Sequence, residues 1–154
     1  MLMKLIFILF ISIDTFLNGN LVSVSKKSTQ TDIPLVANLV YPPSYCNDGD
    51  YDTFCHTSAN NLAYWAVDLA GEFSISHIIL YNRKDCCRER LNGAVVELLS
   101  KNNEVIHVCG SINSTSYIHV LQCKSKKAEK IRVRHTRKEA LHFGELEAYA
   151  DCQM

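Results

Sequence analysis

Tyr81-Asn82-Arg83-Lys84-Asp85-Cys86-Cys87-Arg88-Glu89-Arg90-Leu91-Asn92 follows the apolar run Ser76-His77-Ile78-Ile79-Leu80-Tyr81. The run reads as a strand, and so polar a segment at its end reads as a surface loop. Arg83 and Arg90 keep their charge at any ordinary pH, and each offers a planar fork of donors. Such forks suit ligands rich in acceptor oxygens: a hydroxyl array, a phosphate or a carboxylate. Asp85 lies between them in sequence and is expected to hold both guanidinium groups by charge-assisted hydrogen bonds. A disulfide between the neighbours Cys86 and Cys87 makes a rigid apolar knob beside the cations. An apolar plate next to hydrogen-bond donors is what a monosaccharide needs, because one sugar face carries C–H groups and the edge carries hydroxyls.

The rest of the chain fits one secreted domain. Its 154 residues leave room for one sizeable core, and its formal net charge of zero gives no whole-molecule attraction to nucleic acid or acidic membranes. Seven cysteines in so short a chain point to an oxidising compartment. Met1-Leu2-Met3-Lys4, the apolar run Leu5 to Ile13 and the polar Asp14, Asn18, Gly19 and Asn20 read as a secretory signal peptide over residues 1–20. That run is too short to span a bilayer, and no later stretch anchors the mature chain over 21–154. Short alternating strands at close spacing, without a convincing amphipathic helix, indicate an all-β sandwich. Trp65, in the strand Leu62 to Leu69, is expected in the core. Asp32 to Pro43, with three prolines, reads as loop.

The spacing His56, 26 residues, Arg83-x-Asp85, four residues, Arg90 resembles the fucose-binding motif of the F-type lectins, or fucolectins. Ala63-Tyr64-Trp65-Ala66-Val67-Asp68-Leu69 and Asp85-Cys86-Cys87-x-Glu89-Arg90-Leu91-x-Gly93-Ala94 resemble the same family. The resemblance covers about residues 22 to 150. It implies a discoidin-like β-sandwich jelly roll with ligand loops at one end. It implies a secreted lectin that binds terminal L-fucose on glycans or glycoproteins without catalysis, in recognition or innate defence. His56, Arg83 and Arg90 would hydrogen-bond the sugar, Asp85 would orient the arginines, and Cys86–Cys87 would pack on the apolar ring face. A single such site is weak, so useful avidity calls for a homo-oligomer. In the family, the loop at the level of Asp32 to Pro43 lines a pocket for the fucose methyl group, with Leu35 and Tyr41 the candidates here.

Tyr45-Cys46-Asn47-Asp48-Gly49-Asp50-Tyr51-Asp52-Thr53 is oxygen-rich and turn-forming. By itself it reads as a solvated turn or as a Ca²⁺ loop. The resemblance implies structural calcium held by Asp48, Asp50, Thr53 and Glu145 with carbonyls of Tyr45 and Gly144, although the segment between Asp48 and His56 is several residues shorter than in typical members. It also implies a Cys109–Cys123 disulfide. Closing that loop contributes roughly 3 kcal/mol on the chain-entropy account. The pairing of Cys46, Cys55 and Cys152 is open by sequence. The resemblance implies Cys55 with Cys152, leaving Cys46 outside the pair or joined to another chain.

Three further features stand apart from the motif. His77, His107 and His119 sit in strand-like stretches and read as structural. Asn113-Ser114-Thr115 is an N-glycosylation sequon. Lys124 to Lys130, with Arg132, Arg134, Arg137 and Lys138, is a basic run: a solvated face, or a glycosaminoglycan or phosphate site. An enzyme is disfavoured, because no Cys-x-x-Cys spacing, zinc-ligand spacing or acid/base dyad is present. The competing function is a discoidin-type adhesion module for anionic phospholipid, glycosaminoglycan or protein, which exposed apolar spikes would favour.

Overall fold

The computed structural model describes residues 19–152. The signal-peptide reading falls almost wholly outside them. The elements are β1 (Asn20–Leu21), β2 (Ser28–Gln30), β3 (Leu35–Val36), β4 (Leu39–Val40), a 3₁₀ turn at Pro43–Cys46, β5 (Cys55–Asn60) and β6 (Tyr64–Tyr81). A second 3₁₀ turn at Arg88–Leu91 is followed by β7 (Val95–Leu99), β8 (Val105–Ser111), β9 (Ile118–Arg134), β10 (Glu139–Phe143) and β11 (Glu145–Ala150). A seven-stranded sheet runs β1-β11-β6-β9-β7-β8, with β2 also on β6; β5 pairs with β10, and β3 with β4.

The two long strands make the sandwich. β6 and β9 pair antiparallel along almost their whole length, with breaks in register between Asp68 and Phe73 and between Ile75 and His77. Ala70, Lys124 and Ser125 have positive φ there (59°, 56° and 52°). Such bulges bend and twist a ladder without ending it. The sequence around Gly71 reads as a turn between two strands, yet the strand runs on past it and pairing with β9 resumes at Phe73. The two halves of β6 thus supply Trp65, Val67 and Leu69, then Ile75, Ile78 and Leu80, to one buried cluster that also holds Leu98, Ile131, Val133 and Phe143.

Trp65 is fully buried, edge-on to Phe143 at 5.3 Å, and donates its indole N–H to Pro43 O at 2.8 Å. At Gly144 the closing segment breaks into β10 and β11, which join different sheets. A Cβ there would stand 3.4 Å from the carbonyl oxygens of Tyr81 and Asn82.

Two sequence expectations are corrected. Within Asp32 to Pro43 the chain forms the β3–β4 hairpin. Its turn residues Ala37 and Asn38 both have positive φ (51° and 64°), the geometry that two-residue hairpins need and that Ala-Asn does not advertise. Cys55 pairs with Cys46, Cα to Cα 5.3 Å, and not with Cys152. The 3₁₀ turn brings Cys46 against β5, whereas the chain after β11 lies along the Phe73–Ser74 corner, with Asp151 N bonded to Ser74 O at 2.8 Å. The expected Cys86–Cys87 and Cys109–Cys123 disulfides are both formed. The latter ties β8 to β9, which are not ladder partners.

Candidate functional site

The end of β6 delivers the motif loop. Asn82 is buried and anchors it, with its N–H bonded to Tyr117 O (2.7 Å), its Oδ1 accepting from Arg83 N (2.8 Å) and its Nδ2 donating to Arg88 O (3.1 Å). Arg88 Nε closes the loop onto Arg83 O at 2.8 Å. Cys87 takes a left-handed conformation (φ 62°) as it enters the second 3₁₀ turn. A non-glycine residue there is uncommon and is held by its surroundings. Cys86 is exposed, so the disulfide knob faces solvent.

Arg83 uses Nε and Nη2 on Asp85 (2.9 and 2.5 Å), and its guanidinium lies 3.8 Å above the Phe54 ring. Phe54 in turn stacks on Tyr41 at 4.6 Å. The hydrogen bond from Arg83 holds the Asp85 carboxyl down at about 2. Asp85 does not bridge both arginines: among the described residues, the Arg90 guanidinium has no hydrogen-bond partner, so its donors remain uncommitted. The sequence places Asp85 between the two arginines, but the 3₁₀ turn carries Arg90 away from its carboxylate.

His56, on β5, is cross-strand from His142 on β10, with ring centroids 5.2 Å apart. Burial lowers the His56 pKa, and the charges of Arg83 and Arg90 lower it further, which places all three side chains in one electrostatic neighbourhood. His142 is fully buried, and burial with the nearby arginines pushes it down to about 3. Both imidazoles therefore face the arginines as neutral rings. The structure brings together His56, Arg83, Asp85 and Arg90, with Cys86–Cys87 on the same loop.

Sequence reasoning passed over Phe54, the plate under Arg83, and His142, the ring behind His56. Phe54 adjoins the Cys55-His56 pair, a signal that could have drawn attention. His142 carries none, because its role comes from strand pairing. A cavity of about 350 Å³ opens on the far side of the Arg83–Asp85 pair, lined by Tyr51, Asp52, Phe54 and Lys84 among others and not by His56 or Arg90.

The oxygen-rich loop packs beside this end. Thr53 Oγ1 lies 3.0 to 3.2 Å from Tyr45 O, Asp50 O and both carboxylate oxygens of Asp48. One hydroxyl proton cannot serve four acceptors. Glu145 accepts from Gly49 N through Oε2 (3.2 Å), while its buried Oε1 has no partner among the described residues. Burial pushes the Glu145 carboxyl up to about 8. Tyr51 hydrogen-bonds Glu147 and ties the loop to β11. Asp50 contributes its carbonyl, because its Oδ1 caps Asp52 N. No group of three or more His, Cys, Asp or Glu side chains stands at metal-holding geometry among the described residues. The convergent oxygens of Tyr45, Asp48, Asp50, Thr53 and Glu145 are instead a mixed carbonyl and side-chain set, the kind a hard cation takes.

The family model described as the NedA-like, galactose-binding domain matches residues 45–133. Fucolectin-1 of Anguilla japonica is 32% identical over 106 residues, covering 60% of this chain and 60% of its own length. Fucolectin-6 of the same eel is 34% identical, covering 58% of this chain and 51% of its own length. The match thus spans between about half and three fifths of these curated relatives. Among solved structures, a fucose binding module of Streptococcus pneumoniae superposes with a TM-score of 0.79 at 24% identity, over 86% of this chain and 96% of that one. At that identity the superposition establishes the fold, the discoidin-like β-sandwich.

Proposed function

We propose that this chain, which belongs to the NedA-like, galactose-binding domain family and is an F-type lectin domain within it, is a secreted lectin for terminal L-fucose. It binds and does not catalyse. The observation that carries the reading is the convergence of neutral His56 with Arg83 and Arg90 beside the exposed Cys86–Cys87 knob. Arg83, fixed by Asp85 and Phe54, and Arg90, with its donors uncommitted, offer N–H groups to ring and hydroxyl oxygens. His56 adds a hydrogen bond to a hydroxyl, and the disulfide packs on the C–H face. The relatives support the sugar, since the eel proteins are fucolectins and the pneumococcal neighbour is a fucose binding module. Calorimetric titration of the oxidised protein is expected to show saturable binding of L-fucose and at least tenfold weaker binding of D-galactose. Equal affinity for both sugars, or no heat with either, would sink the assignment.

Calcium is part of the proposal. Asp48, Thr53, Glu145 and the carbonyls of Tyr45 and Asp50 would hold it, and the ion would supply the positive charge this oxygen cluster lacks. Gly144 O, expected as a further ligand, has no observed role in the cluster. Ca²⁺ at a hundredfold its dissociation constant stabilises by about 2.7 kcal/mol, so Tm is expected to rise by several degrees. Glu145→Gln should remove that increment without lowering the Tm measured in EDTA, because burial already opposes the Glu145 charge. An equal Ca²⁺ increment in the variant would rule the site out.

One observation favours a second reading, adhesion to lipid surfaces. Leu35, Leu39 and Val40 of the hairpin beside Tyr41 are exposed by 67, 58 and 54%. Sedimentation with phosphatidylserine vesicles, undiminished by free L-fucose, would support it over the lectin.

A further inference from the structure

We propose a second binding site, for a sulfated oligosaccharide, on the outer face of the sheet where β2, β6, β9 and β7 lie side by side. It stands apart from the motif loop and depends on no residue of it.

A cavity of about 530 Å³ opens there, larger than the one beside Arg83, and the two linings share no residue. Strand alternation produces it. Along β6, Trp65, Val67 and Leu69 enter the core, so Tyr64, Ala66 and Asp68 face outward; along β9, Ile131 and Val133 enter the core, so Lys130, Arg132 and Arg134 face outward. The register aligns Thr29, Ala66, Arg132 and Glu97 in one row across the four strands. At the usual spacing of neighbouring strands that row is about 14 Å long. Ala66 is the small residue at its middle, and the trough lies over it.

The cations are arranged and partly committed. Arg132 donates Nε and Nη2 to Glu97 Oε2 (2.8 and 2.6 Å), and Arg134 donates the same atoms to Oε1 (2.9 and 2.7 Å). Burial works to raise the Glu97 pKa, but the bonds from Arg134 and Arg132 overcome it and hold the carboxyl below its usual value. One buried carboxylate therefore fixes two guanidinium groups and neutralises one of them. Each fork retains three of its five N–H groups. Lys130 Nζ is held by Lys101 O and Asn103 Oδ1, both at 2.9 Å, and Lys27 stands on the opposite rim. Asp68 is the acid in the lining, and its Oδ1 accepts from Ala70 N.

Three cations, Lys27, Lys130 and Arg132, thus line the cavity with one acid, Asp68, and the Glu97–Arg134 pair stands beside them, a local focus in a chain of zero net charge rather than a global attraction. Fixed guanidinium forks pair with sulfate or carboxylate oxygens. Tyr64 supplies an aromatic face for a sugar ring, and Thr29 and Asn103 supply partners for hydroxyls.

The test is calorimetry of the oxidised full chain at about 0.15 M salt with a heparin-derived tetrasaccharide, its desulfated counterpart and inorganic sulfate. One tetrasaccharide per chain is expected, with the other two probes at least tenfold weaker. Ala66→Phe fills the trough without changing charge and should cost at least tenfold in affinity. Lys27→Ala with Lys130→Ala should do the same, and this pair carries the test should the Ala66 variant not fold. Arg83→Ala should leave tetrasaccharide binding unchanged. Undiminished affinity in the trough variants would overturn the site, since the exposed Lys124–Lys127 segment would then be the contact. Loss of binding in Arg83→Ala, absence of tetrasaccharide binding, or equal binding of desulfated sugar or inorganic sulfate would overturn it as well.

Discussion

Arg83→Ala is expected to weaken L-fucose binding by about a hundredfold or more, close to 3 kcal/mol, the scale of a charged anchor at the centre of a small site. The loss would be one of contact and not of fold. The loop bond from Arg88 ends on the backbone oxygen of Arg83, which alanine retains, and Asn82 holds the loop independently. The change frees Asp85, whose carboxyl is held at about 2 by Arg83, and uncovers Phe54. The remaining anionic carboxylate beside the sugar oxygens adds repulsion to the lost donors. Titration calorimetry checks the affinity and circular dichroism checks the fold. Affinity within threefold of the parent, in a folded variant, would show that the sugar does not rest on Arg83. In the parent, burial and the two arginines hold His56 below its ordinary value, so the ring is neutral at neutral pH and becomes charged only on acidification. Affinity is therefore expected to hold steady between about pH 8 and 7 and to change only on further acidification.

Trp65→Ala should cost about 3–5 kcal/mol of stability. That is a large share of the 5–15 kcal/mol typical of a domain. The indole is fully buried, it packs edge-on against Phe143, and its N–H satisfies Pro43 O at the start of the 3₁₀ turn that carries Cys46. Removing it opens a cavity between the layers and leaves a carbonyl without its donor. Because the protein has one tryptophan, unfolding of the variant has to be followed by circular dichroism in denaturant, not by fluorescence. Trp65→Phe should recover part of the loss by refilling the space. A cost under 1 kcal/mol for the alanine variant would mean that Trp65 is not the centre of the core.

The motif loop and the core were legible for local reasons. Ile131 and Val133 alternate with Arg132 and Arg134, so that strand and its buried face follow from period two. Arg83, Asp85, Cys86, Cys87 and Arg90 lie within one loop, where chemistry can be read directly from residue types. The adjacent cysteines had no nearer partner than each other. The oxygen-rich turn at Asp48 to Thr53 was visible too, because Asp, Asn and Gly together signal a turn.

Long-range pairing decided the rest. That β6 and β9 each run unbroken through a bend depends on the partner strand continuing the ladder across the bulges, which neither segment encodes alone. Cys46 meets Cys55 because a 3₁₀ turn folds back onto β5, a three-dimensional proximity that a count of seven cysteines leaves open. Arg90 is parted from Asp85, and His142 is set behind His56, by a turn and a strand register respectively. The basic run shows the division most plainly. In sequence, Lys130, Arg132 and Arg134 are alternating charges on a solvated strand. Only the register across β2, β6, β9 and β7 sets them over Ala66 and around Glu97, because side-chain alternation fixes a face while strand pairing fixes its neighbours.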